Sequence, residues 1–157
     1  MDSVRRGAAW IYRILIALFA VAVVVEIFLA GLGIFRAMPA EDESVSHEAI
    51  EDKFDAHAAL GDFLAGGAVL LLIVILLAWT GRRSIGATFA LAVLTVVQGI
   101  LGGTGDSAPV AGAFHAVNAF LILGLSLFLT ARAWRGNLLI PPSRLRTSAP
   151  PPPSANP

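Results

Sequence analysis

The sequence predicts an all-α membrane protein, a bundle of four transmembrane helices. Composition is the first ground for this: 57% of the 157 residues are hydrophobic and 14% charged, with a mean hydropathy of +0.78. A soluble domain is about half apolar and about a quarter charged. The second ground is four long apolar runs, at about 14–35, 56–79, 85–101 and 114–134. Each is of spanning length, and a segment inside lipid must satisfy its own backbone, which a helix does. The third is the lopsided placement of charge around a net of zero. Arg5, Arg6, Arg13, Arg82, Arg83, Arg132, Arg135, Arg144 and Arg146 fall on one side of the membrane, with Arg36 and Lys53 on the other. Positive charge marks the cytoplasm, so both termini are expected inside and the long acidic loop outside.

Residues 1–13 form a basic cytoplasmic flank in which Trp10 and Tyr12 supply an interfacial aromatic belt. The first span runs over about 14–35, roughly 33 Å at 1.5 Å per residue. It is too long for a signal peptide and contains Glu26, so it is read as a retained span. A carboxylate at that depth is protonated, paired or both. Ala22, Ala30 and Gly33 share its face, which lets a neighbouring helix approach closely.

The loop that follows carries Glu41, Asp42, Glu43, Glu48, Glu51, Asp52 and Asp55, a solvated surface. A short amphipathic helix is expected to begin at Ser44, with His47 exposed. The second span, 56–79, opens with His57, and Gly61, Ala65 and Ala68 follow on the same helical face. Asp62 lies about 140° around the helix and points elsewhere. After the basic turn at Arg82-Arg83, the third span carries Thr95 and Gln98 on one face. A glycine-rich outer loop leads into the fourth span, 114–134, where His115 and Asn118 stand near the start. Polar side chains at such depth face a bundle interior and mark candidate sites. Residues 136–157 are proline-rich and read as a disordered cytoplasmic tail.

A weak tandem repeat relates the two hairpins. Glu26-Ile-Phe-Leu29-Ala-Gly31 parallels Gln98-Gly-Ile-Leu101-Gly-Gly103, and each is followed by a helix that begins with histidine. His57 and His115 both enter from the outer face, at one depth, with Gly61 and Ala119 four residues on. If the second and fourth helices are diagonal, both imidazoles point inward, and the small residues leave room for a flat ring. Haem iron accepts an imidazole on each axial side. His57 and His115 are therefore the candidate axial ligands of a b-type haem, with Glu26, Gln98 and Asn118 as partners for their other ring nitrogens.

In these residues the chain resembles one half of heme A synthase. That enzyme is a duplicated eight-span protein whose halves are four-helix bundles, with histidines on the second and fourth helices at the haem sites. The resemblance is strongest over Gln98-Gly-Ile-Leu101-Gly, Pro109, Phe114-His115 and Asn118-Ala119, and weaker over 26–33 and 57–61. It implies a haem-binding four-helix bundle. Phe54 and Ala58 stand where that family has a glutamate and an arginine, and the chain has neither the family's cysteine pair nor a second half. The resemblance therefore favours haem binding over that family's catalysis, and no residue is assigned a catalytic role. The small four-span membrane proteins of bacteria are a second group to which the chain is similar.

Other functions follow from the same residues. A cofactor-free structural or accessory protein would use the histidines as interfacial caps and Glu26, Gln98 and Asn118 as interhelical hydrogen bonds, about 1 kcal/mol each. A proton or small-solute transporter would use Glu26 and Asp62. With no cysteine there is no thiolate chemistry, and the basic residues flank spans rather than form a nucleic-acid patch. The partners expected are the lipid bilayer and either a membrane redox protein or a second copy of the chain. The arginine- and alanine-rich composition suits a bacterial plasma membrane protein.

Overall fold

The structure is a computed structural model, and it describes residues 2–37, 52–78, 80–104 and 108–135. Four helices account for nearly all of them: α1 Asp2–Ala37, α2 Asp55–Leu77, α3 Arg82–Gly103 and α4 Pro109–Trp134. All four are long and apolar enough to cross a membrane. Most of the acidic loop, with His47 and the helix expected from Ser44, lies outside the described residues, as does the proline-rich tail.

Each helix packs on its neighbours in sequence, and α1 closes the ring against α4. This leaves α2 diagonal to α4, as the histidines require, and α1 diagonal to α3. The buried stripes explain the packing. They run Tyr12, Ile16, Phe19, Val23 on α1 and Leu64, Ala68, Leu71, Ile75 on α2. On α3 the stripe is Ser84, Thr88, Leu91, Thr95, and on α4 it is Asn118, Ile122, Ser126, Leu129, Ala133. Steps of four and three keep each stripe on one face of its helix, turned toward the bundle axis. Large apolar side chains such as Phe28, Phe35, Phe63 and Phe120 point outward and are more than half exposed. That inversion suits lipid contact.

The helices begin and end beyond the apolar runs. At 36 residues α1 is about 54 Å long, well past a hydrocarbon core of about 30 Å. The basic flank is therefore continuous with the first span: Ala8 and Ala9 are buried in a small cluster with Ala78 near the end of α2. Hydropathy marks only the lipid-exposed length, whereas small residues let the helix go on packing outside it. Asp55 in the first turn of α2 and Pro109 at the start of α4 are favourable helix starts.

Candidate functional site

The two polar layers of the bundle lie at opposite ends. At one end, the first turns of α2 and α4 meet the last third of α1 and α3. His57 and His115 come together there across the diagonal, with ring centroids 6.0 Å apart and planes inclined at 73°. Both residues are half-buried.

Each imidazole is fixed through Nδ1. His57 Nδ1 lies 3.3 Å from the backbone carbonyl oxygen of Glu26, and His115 Nδ1 lies 3.1 Å from that of Gln98. Glu26 and Gln98 are the positions the tandem repeat equates, so the repeat is a structural fact at this site. A carbonyl oxygen only accepts, so Nδ1 carries the proton in both rings. In the neutral ring Nε2 then holds a bare lone pair, and neither Nε2 takes a hydrogen bond among the described residues.

The halves differ in their side chains. Glu26 Oε1 also accepts from His57 Nδ1, at 3.0 Å. The Gln98 side chain instead turns to Asn118, whose Nδ2 donates to Gln98 Oε1 at 2.7 Å and to the Leu94 carbonyl at 2.9 Å. The position three after His57, where Asn118 stands relative to His115, is Leu60. Leu60 cannot draw the carboxylate away. Glu26 Oε2 is buried and has no partner among the described residues.

Two glycines make these contacts possible. A Cβ on Gly61 would come within 3.1 Å of Glu26 Oε1, and one on Gly102 within 3.1 Å of His115 Cε1. The room expected beside Gly61 for a flat ring is thus filled by the Glu26 carboxylate. A small residue one turn from His57 serves the acid rather than a ligand. Open space at this end lies beside Gly31, Gly99 and Gly103, where an added Cβ would meet nothing within 4 Å. Phe54 closes the rim: its ring covers Gly33, and its centroid is 6.4 Å from that of His57.

Asp62 is exposed and faces away, so it does not share a path with Glu26. Thr95 is buried and donates back to the Leu91 carbonyl within its own helix.

The other polar layer corrects an expectation: Tyr12, expected with Trp10 in the interfacial aromatic belt, is fully buried in the bundle, where its hydroxyl finds a partner on α3, and only Trp10 stays exposed. Thr88 Oγ1 donates to the Ser84 carbonyl at 3.0 Å, which leaves its oxygen to accept from the Tyr12 hydroxyl at 2.7 Å. Arg132 Nε donates to Ser84 Oγ at 3.0 Å, and Thr130 Oγ1 lies 3.2 Å from the Ile16 carbonyl. Trp10 and Trp134 stack edge to face outside this layer. Tyr12 and Thr88 are 76 residues apart, and each is ordinary for a helix end or interior. The available signal was their place in the buried stripes of α1 and α3.

No curated protein and no solved structure matches the chain, so the likeness to heme A synthase rests on the residues quoted for it. Residues 26–105 match the family of unknown function DUF6220, a stretch that holds Glu26, His57 and Gln98 and stops before His115. That stretch is just over half of the chain, whose four apolar helices make it an integral membrane helical protein, and the protein accordingly belongs to this family of unknown function.

Proposed function

We propose that the bundle binds one b-type haem through Nε2 of His57 and Nε2 of His115, and that it carries electrons or handles haem. The observation behind this reading is the pair of Nδ1-anchored imidazoles that meet, edge to face, from diagonal helices. A ring bound through nitrogen at about 2 Å has its centre about 3 Å from the metal, so two rings flanking one ion stand about 6 Å apart. The two here are 6.0 Å apart. Ligating histidines characteristically donate their other nitrogen to a carbonyl or carboxylate, as both do.

The donor set also favours haem over a bare ion. Among the described residues there is no cluster of three or more His, Cys, Asp or Glu suited to a metal. A tetrahedral ion needs four ligands, whereas an iron with its equatorial positions filled by a macrocycle needs two. When bound, the haem supplies one-electron chemistry. The chain's own part is to hold both Nε2 lone pairs in place and to keep the Glu26 carboxylate at Nδ1 of His57.

Orientation belongs to the same proposal. With the arginine-rich ends in the cytoplasm of a bacterium, the histidine layer lies toward the outer face of the plasma membrane, within reach of a membrane redox partner.

A reduced-minus-oxidised spectrum and a pyridine haemochrome assay, on protein from haem-supplemented cells, test the reading. About one haem b per chain is expected, lost in both His57→Ala and His115→Ala. A second reading has its own support, because the Nδ1 contacts also fasten α2 to α1 and α4 to α3. In that case the protein is a cofactor-free bundle. It carries no Soret absorption at any haem supply, and His115→Ala lowers its stability alone.

A further inference from the structure

We infer that the two histidines are unequal ligands, with Glu26 acting as a positioning residue that holds the site toward the ferric state through His57. The inference rests on the haem reading above and adds a direction to it.

The asymmetry is built by three side chains. Glu26 places a carboxylate oxygen 3.0 Å from His57 Nδ1, whereas His115 Nδ1 meets a neutral carbonyl at 3.1 Å. Asn118 occupies the Gln98 side chain, and Leu60 at the equivalent place leaves Glu26 undiverted. Gly61 keeps clear the volume in which the carboxylate sits. A charged acceptor makes a stronger hydrogen bond than a neutral one and draws the Nδ1 proton further from the ring. The ring becomes a stronger electron donor at Nε2, which favours the higher oxidation state of a bound iron. The charge acts in the same direction. Half-buried in a bundle of low dielectric, a carboxylate stabilises a centre bearing one more positive charge.

Glu26→Gln keeps the shape and a carbonyl acceptor while removing the charge. Leu60→Asn leaves Glu26 intact but offers its carboxylate the amide donor that Asn118 offers Gln98. Both substitutions weaken the hold on His57 and shift the site in the same direction.

The test is a spectroscopic redox titration of the haem-loaded full chain with dithionite, in which the ferric centre gains one electron and no bond is made or broken. At the wild-type midpoint, Glu26→Gln is expected to be several-fold to about tenfold more reduced, a rise of up to about 59 mV for a one-electron couple. Leu60→Asn is expected to rise by a smaller amount. Midpoints within twofold of wild type in either haem-loaded variant, or a fall, overturn the inference while leaving haem binding in place. If Glu26→Gln does not fold, Leu60→Asn decides alone. A wild-type protein without haem overturns the parent reading, and this inference falls with it.

Discussion

His57 and His115 are distinguished by what their Nδ1 atoms touch, and that contact fixes the tautomer of each ring. Both rings are expected to be Nδ1–H, with Nε2 unprotonated, in protein purified without haem. Histidine nitrogen NMR in detergent micelles checks this, and an Nε2–H signal from either ring would contradict the contacts seen at Glu26 and Gln98. At the other end of the bundle, Thr88→Val removes the acceptor of the Tyr12 hydroxyl and leaves a phenol buried without a partner. A loss of about 1 kcal/mol is expected, as a lower thermal midpoint in micelles. The candidate ligands were legible as residues because an imidazole is conspicuous inside an apolar run. Their partners were less so. Glu26, Gln98 and Asn118 stood as equals in the sequence, and only side-chain direction separates the acid that reaches a histidine from the amides that reach each other.

The helices were the most legible feature, since a chain in lipid has few ways to satisfy its backbone and hydropathy reads them directly. Their ends were not, because Ala8, Ala9 and Tyr12 continue α1 by packing rather than by hydropathy. The same distinction separates strong from weak contacts between elements. α4 is tied to α3 by Asn118, which bonds both a carbonyl and the Gln98 side chain, while α2 has leucine at the corresponding place. Asn118→Leu is expected to cost about 1 kcal/mol and to loosen α4 from α3. Hydrogen exchange of the first turns of α4 would locate the loss, and protection unchanged from wild type would show that the pair does not hold the helices together. Gly102→Ala acts on the same junction by crowding the His115 ring, whose Cε1 lies 3.1 Å from the new Cβ position.

For the whole molecule, charge placement predicts the orientation. The chain has no cysteine, so single cysteines report cleanly. Ser44→Cys in the acidic loop is expected to react with a membrane-impermeant maleimide on intact cells, and Ser148→Cys in the tail only after permeabilisation. The reverse pattern would invert the topology and place the histidine layer inward. The closed ring of four helices was predictable in kind, but the diagonal relation of α2 and α4 came from an internal repeat too short to stand by itself. Its confirmation lies in the matched contacts, His57 to Glu26 and His115 to Gln98.

Those matched contacts divide the site evenly between two modules. Among the described residues, each hairpin brings one imidazole held by a carbonyl of its own. On the haem reading proposed above, a lone hairpin would be a primed half-socket whose completion waits on the docking of its counterpart. Occupancy of such a site would certify that both halves of the chain have been inserted and have found each other.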